Sequence, residues 1–379
     1  MHTFEGSSQL TDGAAAVQEA VEHWSEAPEM LFVFCSAAQD ASSVANALSH
    51  RFPGVPMVGC STSGEHIGGK HHRNSLVVAG LCDTGIDWAV QSFEGLADFD
   101  EARGDAAAHH LFEQHGADPE TLDPEQFLAL LFVDGLSMSE ERVSSALAAG
   151  LQGVPLAGGS AGDDLAFSKT TVICNGTAKS DRAAVVLARS TEAQFHVIKH
   201  QHFTTEKHML AVTKADPAAR RVYEFDGYPA AEAYAKAIGV PLAELDGAKS
   251  FLHPVMFRCE GENYVRSIQS VNDDGSLTFY CAMEEGMVLQ TGSHHDMTQS
   301  LHGDLSPLKD VDFMLGFNCV LRALEASGDE KWDELGAEIS AVAKSSIGFD
   351  TYGEQLNGLH INQTLVAVAF SSKSKAVAA

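Results

Sequence analysis

Short, wholly apolar runs alternate along this chain with stretches whose apolar residues recur every three or four positions. That is the mark of buried strands interleaved with amphipathic helices. The run MLFVFCSA (30–37) reads as a buried strand, and DASSVANALSHRF after it as a helix with Asp40 as its N-cap. VPMVGCST, SLVVAGL and IDWAVQSF continue as strands, and FDEARGDAAAHHLFEQH as an alanine-rich helix. The same order then returns. QFLALLFVDG is a strand, SMSEERVSSALAAGL a helix capped by Ser137 or Ser139, and VPLAGGSA, TTVICNG and AAVVLARS are strands. Val55-Pro56 maps onto Val154-Pro155, so VPMVGCSTSGE (55–65) and VPLAGGSAGDD (154–164) are one phrase written twice. The pattern predicts an internally duplicated α/β amino-terminal domain over 28–215. Its two βαβββ-like units carry the glycine-rich phrases at equivalent strand exits.

A second α/β domain, with a mainly antiparallel sheet, is predicted over 220–368. AVTKADPAARRVYEFDGYPAAEAYAKAIG reads as strand, turn, strand and helix, the helix entered after Gly227-Tyr228-Pro229. NYVRSIQSV and GSLTFYCAM flank NDDG, a strong hairpin turn signal. Helices are predicted over DFMLGFNCVLRALEA and KWDELGAEISAVAKS, and IGFDTYGEQLNGLHINQTLVAVAF has strand character. Residues 369–379 are predicted to be a disordered tail.

Charge narrows the partners. Against 52 acidic residues stand 24 basic ones, a formal net charge of −28. A phosphate backbone or an anionic membrane is repelled by such a chain, which disfavours nucleic acid. Seven scattered cysteines without a C-x-x-C argue against a disulfide framework and a structural zinc site. The start MHTFEGSSQLTDG lacks a basic region followed by an apolar run, and no segment approaches the ~18 apolar residues of a membrane helix. The expectation is a cytoplasmic protein without membrane insertion.

Two kinds of chemistry compete for the remaining motifs. GGSAG (158–162) fits the G-x-S-x-G nucleophile elbow in letters, but loop and strand follow it where that motif needs a helix. Cys60 lies in the matching phrase. A nucleophile at Ser160 or Cys60 would make this an enzyme; otherwise the glycines serve tight strand exits and close packing. The 18 histidines include no H-E-x-x-H, yet a single histidine on a cofactor iron needs no motif. Arg266 in NYVRSIQSV and Arg322 in GFNCVLRALE are charges among apolar residues, costly unless paired or turned to a ligand. Glu354 in TYGEQ and Asn362 in HINQT supply an acid and an amide nearby in sequence. Either an arginine pairs with Glu354 structurally, or these residues line a pocket for an anionic or polar ligand. The sequence leaves both open.

The phrases VPMVGCSTSGE, GGSAGDD, FDGYPAAEAY, NYVRS, GFNCVLR, GFDTYGEQ and HINQTLV follow one another in the order of FIST-domain proteins. In that order the chain resembles paired FIST N-terminal and FIST C-terminal modules. The resemblance implies a sensory signal-transduction module without enzymatic activity. It would bind a small ligand, such as an amino acid or similar metabolite, and act on a partner in trans; a homodimer is compatible with it. The carboxy-terminal motifs resemble the NosP-type branch, whose members bind heme, sense nitric oxide and regulate a histidine kinase or cyclic-di-GMP enzyme. That branch implies heme b on one of His208, His294 or His360; the wider family implies a metabolite sensor without heme. Arg266, Cys319, Arg322, Glu354 and Asn362 are the ligand-binding positions at which the motifs coincide.

Overall fold

The computed structural model describes residues 1–245 and 247–372. They form two compact units. The first combines Met1–His200, Leu301–His360 and the residues from Leu365; the second combines Gln201–Ser300 with Ile361–Thr364. The second is therefore an insertion into the first, and the division does not run between residues 215 and 220. Residues 369–372 end a strand, while the rest of the expected tail, 373–379, lies outside the described residues.

The first unit begins with β1 (His2–Ser8), α1 (Gly13–Val21), β2 (Met30–Ser36), α2 (Ala41–Arg51), β3 (Met57–Thr62), β4 (Glu65–Ile67), β5 (Lys70–His72) and β6 (Leu76–Cys82). The order recurs as β7 (Asp87–Glu94), α3 (Glu101–Gln114), β8 (Phe127–Val133), α4 (Glu140–Gly150), β9 (Leu156–Ser160), β10 (Val172–Cys174), β11 (Thr177–Lys179) and β12 (Arg182–Arg189). β13 (Ala193–His200) then leads into the insertion.

The inserted unit holds β14 (Phe203–Asp216), β15 (Arg221–Phe225), β16 (Tyr228–Pro229), α5 (Ala230–Ala237), α6 (Gly247–Leu252), β17 (Val255–Cys259), β18 (Glu262–Arg266), β19 (Ile268–Val271), β20 (Leu277–Phe279) and β21 (Val288–His294). Its strands run β18-β17-β21-β14-β15-β20-β19, with β16 beside β15, and the pairings are antiparallel. The NDDG turn joins β19 to β20, with Gly275 at φ +79° in the left-handed region that glycine adopts without strain. Val212, Phe225, Tyr234, Leu277, Phe279 and Leu289 are among the residues of its core.

After α7 (Met297–Leu305) the first unit resumes with β22 (Phe313–Cys319), α8 (Val320–Gly328), α9 (Trp332–Val342), β23 (Ser346–Thr351), β24 (Glu354–Leu356), β25 (Leu359–Ile361) and β26 (Leu365–Ser372). DFMLGFNCVLRALEA, expected to be one helix, is therefore strand β22 followed by helix α8. A short apolar run suits a buried strand and a buried helix equally, and here tertiary pairing decides.

The expected duplication is present, and β22–β26 supply a third copy. In each copy a parallel pair (β2/β3, β8/β9, β22/β23) is joined by helix, and a later strand (β6, β12, β26) returns antiparallel beside the first. Among the described residues this unit has three six-stranded sheets: β1-β6-β2-β3-β10-β11, β7-β12-β8-β9-β24-β25 and β13-β26-β22-β23-β4-β5. Each short hairpin thus leaves its own copy and extends another's sheet. The first copy gives β4/β5 to the third, the second gives β10/β11 to the first, and the third gives β24/β25 to the second. The exchange is cyclic, and it covers the edges that β3, β9 and β23 would otherwise leave bare.

Where the sheets converge, the repeat-equivalent Phe34, Phe132 and Phe317 gather with Phe349. Phe34 lies 6.2 Å from Phe132 and 4.6 Å from Phe349, and Phe132 lies 5.6 Å from Phe317. The other face of the first sheet packs on α1 and α2, and that of the second on α3 and α4. Gly59, Gly158 and Gly348 are equivalent positions, each opposite a residue of its parallel neighbour: Val33, Leu131 and Gly316. A Cβ added to them would lie 1.7, 2.0 and 2.5 Å from the carbonyl oxygens of those neighbours. The repeated glycine phrase serves this backbone approach, and no helix follows GGSAG.

Candidate functional site

The third sheet differs from the others at one place on its helix-facing side. Along the first strand of the parallel pair the copies read Leu31-Val33-Cys35, Ala129-Leu131-Val133 and Met314-Gly316-Asn318. Beside Val33 and Leu131 the antiparallel strand supplies Val78 and Val185; beside Gly316 it supplies Ala367. Val33, Val78, Leu131 and Val185 are buried in the apolar layers beneath their helices. Glycine and alanine in the third copy remove that bulk. A narrow cleft lies there between the sheet and α9. Its walls include Gly316, Ala367, Leu335, Ile339 and Trp332.

Five polar side chains, Arg322, Asn318, Asp350, His66 and His71, form a linked cluster at this cleft. Arg322, on the first turn of α8, is 2% exposed. Its Nη1 donates to Asn318 Oδ1 at 2.6 Å, while Nε and Nη2 make no hydrogen bond. Burial lowers its pKa to about 10, against the opposing pull of Glu325, Asp350 and Glu354, so the guanidinium stays charged at neutral pH. Asp350 of β23 is buried, and its two oxygens accept from His66 Nε2 at 2.7 Å and His71 Nε2 at 2.8 Å. Asn318 Nδ2 donates to the same carboxylate at 2.7 Å. Burial alone would raise the Asp350 pKa, but the two imidazoles outweigh it and hold the carboxyl below its usual range. For His66, burial dominates and lowers the pKa, with Asp350 pulling the other way. The Trp332 ring lies 3.9 Å from that of His71 at an interplanar angle of 2°.

The histidines reach this place because their hairpin is exchanged. β4/β5 belongs to the first copy in sequence and pairs with β23 of the third. Beside them Glu65 is wholly buried, with the Thr62 hydroxyl on one oxygen and the Ser75 hydroxyl (2.6 Å) and backbone N–H (3.2 Å) on the other. Burial raises its pKa to about 7, the hydrogen bonds from Ser75 and Thr62 opposing and Asp350 adding.

The sequence-predicted residues scatter. Cys319 ends β22 and Arg322 lies one turn further, at the cleft. Glu354 is buried in β24 and accepts from the Thr351 hydroxyl, so the hydrogen bond found on Arg322 runs to Asn318. Arg266 ends β18 in the second unit, its guanidinium 5.7 Å from the centre of the Phe257 ring. Asn362 is buried in the turn after β25, in the part of the chain that joins the second unit. Of the heme-ligand candidates, His208 and His294 are exposed on β14 and β21, and His360 is buried in β25 with Nδ1 3.2 Å from Gln355 Nε2. His66, His71, Asn318, Trp332 and Asp350 were not found by sequence reasoning. The readable signal was the match of EHIGGKH (65–71) to EQLNGLH (354–360), which marks the hairpins as equivalent.

Ser160 and Cys60 are both wholly buried. Ser160 Oγ accepts from Gln355 Nε2 at 2.8 Å, and burial, with Cys35 and Glu65 adding, pushes the Cys60 thiol well above its ordinary value. A thiol held protonated is a poor nucleophile. Under native conditions iodoacetamide should modify the part-exposed Cys259 first and leave Cys60 untouched until the protein unfolds, read by peptide mass spectrometry. Native labelling of Cys60 would return the enzyme reading.

Fold and site define a class: a repeat-built α/β protein with a cleft that one copy opens beside a buried arginine. The chain belongs to the FIST family, matching its FIST N domain over residues 29–228 and its FIST C domain over 230–357. FIST domains are small-ligand-sensing signalling domains. An uncharacterised protein of Methanocaldococcus jannaschii is 23% identical over 325 residues, covering 81% of this chain, which spans 62% of that relative's length. Among solved structures, PurLQS from Thermotoga maritima aligns over 98% of this chain and 72% of its own, at 11% identity and a TM-score of 0.20. No helix among the described residues is long and apolar enough to cross a membrane.

Proposed function

We propose that the cleft over the third sheet binds a small carboxylate-bearing metabolite, and that the protein is a sensor relaying its occupancy to a partner in trans. The observation that carries this is Arg322: a buried guanidinium whose Nε–Nη2 edge makes no hydrogen bond while Asn318 fixes its other arm. That edge suits a carboxylate, which takes two parallel hydrogen bonds from it. A buried charge left in this state costs several kcal/mol, and a bound anion would offset it. Gly316 and Ala367 give the ligand's apolar body room, and Trp332 gives it a flat wall. The signalling partner is proposed from the resemblance to the NosP-type branch alone: a histidine kinase or a cyclic-di-GMP enzyme, in the cytoplasm.

The test is a thermal-shift screen of small mono- and dicarboxylates. A ligand at 100 times its Kd stabilises the native state by about 2.7 kcal/mol through mass action. Arg322→Met should abolish the shift, because it removes the donor edge that a carboxylate would meet. Gly316→Val should also abolish it, since the nearest atoms to an added Cβ are 3.7 and 4.0 Å away and the larger side chain fills the cleft. A carboxylate that stabilises both variants as it does the parent would refute the site.

A further inference from the structure

The cyclic exchange of hairpins creates three equivalent junctions, and only their side chains differ. At each, the conserved strand glycine pairs with the middle residue of an incoming hairpin's inner strand, and the second residue past that glycine lies on the same face of the sheet as that middle residue and its partner across the hairpin. The first junction holds Ser61 with Ile173 and Ala178; the second holds Ser160 with Gln355 and His360; the third holds Asp350 with His66 and His71. The backbone closes the same way at all three. Ser63 N–H donates to Asp350 O at 3.1 Å, Gly162 N–H to Ser61 O at 2.9 Å, and Tyr352 N–H to Ser160 O at 3.1 Å. A serine with an isoleucine and an alanine therefore suffices to build the junction. The aspartate and two histidines of the third are not demanded by the fold.

We infer that His66, His71 and Asp350 form a binding site for a divalent first-row transition-metal ion, zinc or ferrous iron. Each residue offers one donor atom, and these atoms lie within 4.8 Å of one another, close enough to share an ion. Two imidazole nitrogens and one carboxylate suit such ions and leave coordination positions open. Asn318 steadies the carboxylate from behind at 2.7 Å, as an outer partner of a metal ligand does. Space for the cluster is secured by Gly64, where a Cβ would lie 2.3 Å from Asp350 Oδ2 and 2.7 Å from His71 Nε2. The His66 and His71 side chains are 19% and 11% exposed, and both line the cleft, so an ion has an entry path and its open positions face the ligand space. Binding requires neutral imidazoles, with each Nε2 turned to the ion and its proton carried on Nδ1. A second group of donor atoms, His2, Glu26 and Cys82, has no such cleft, and two of its members are exposed.

The experiment titrates full-length protein, stripped with a chelator, with cobalt(II) and then displaces it with zinc(II), in the absence of any carboxylate ligand. Failure here is thereby separable from failure of the sensor reading. A single equivalent should bind and give d–d absorption in the visible range, and zinc should bleach it. His71→Ala and Asp350→Asn should each weaken binding by about 100-fold or more, since loss of even an outer partner costs about 10–100-fold. Removal of the exposed pair His109 and His110 should leave the titration unchanged, which separates the site from adventitious histidine binding. The inference fails if the parent protein takes up no stoichiometric cobalt. It also fails if uptake survives in a His66→Gln, His71→Gln double variant that circular dichroism shows to be folded. The parent titration decides even if every variant misfolds.

Discussion

Alanine at Gly59 or Gly158 should leave little folded protein, a loss above about 4 kcal/mol, in the range that only severe core disruption reaches. The added methyl would sit 1.7 Å from Val33 O in one case and 2.0 Å from Leu131 O in the other. Both obstacles are backbone atoms in the centre of a sheet, which cannot move without breaking the parallel ladder. Gly303→Ala is the counterpart. It lies within α7 with nothing within 4 Å of an added Cβ, and the gain in helix propensity should stabilise by up to about 1 kcal/mol. Urea denaturation of the three variants checks this. Tolerance of Gly158→Ala would show that GGSAG is not fixed by packing and would reopen a catalytic role for it.

Glu65→Gln should flatten the dependence of stability on pH between about 5 and 7. The folded-state pKa of about 7 lies above the ordinary 4.5. The stability linked to protonated Glu65 is thus complete below 4.5 and is lost as pH rises through 7, at most about 3 kcal/mol in all. Glutamine resembles the protonated acid: its carbonyl can accept from Ser75, and its amide can donate to the Thr62 hydroxyl. The variant should therefore match the parent at pH 5 and exceed it at pH 8. Denaturant midpoints at pH 5.5, 6.5, 7.5 and 8.5 measure it. The difference between the proteins is the quantity to read, because His66 titrates in the parent and variant alike. Parallel curves would mean that Glu65 stays ionised in the fold.

The longer strands and most helices of the two amino-terminal copies were legible because each strand is a short apolar run and each helix a periodic one, whereas β1, α1 and the hairpin β4/β5 were not. The third copy was not, for two local reasons. Val-Pro, whose proline carbonyl accepts from Leu31 N–H in the first copy and Ala129 N–H in the second, becomes Lys344-Ser345, where Ser345 O accepts from Met314 N–H instead. The geometry survives and the letters do not. The inserted unit also separates β13 from α7, hiding the repeat's period. Arg322 could be read from its apolar surroundings. His66 and His71 could not be placed beside it, since the pairing that brings them there spans some 280 residues and no periodicity reports it. Arg266 sent the same signal as Arg322, an arginine among apolar residues, and belongs to the other unit.

The cyclic exchange of hairpins also sets a schedule for synthesis. β3 gains its neighbour as soon as β10 and β11 leave the ribosome, but β9 waits for β24 and β25, about 200 residues later. At translation rates of about 5–20 residues per second, that strand edge stays bare for roughly 10–40 s. β4 and β5 leave the ribosome early and wait longer still for β23. A nascent chain cut short before residue 346 therefore retains two unpaired pieces of sheet, the form in which chains recruit one another into aggregates. The inserted unit, except for its last four residues, is made within this interval. Its sheet can form while the surrounding unit is still waiting for its carboxy-terminal strands.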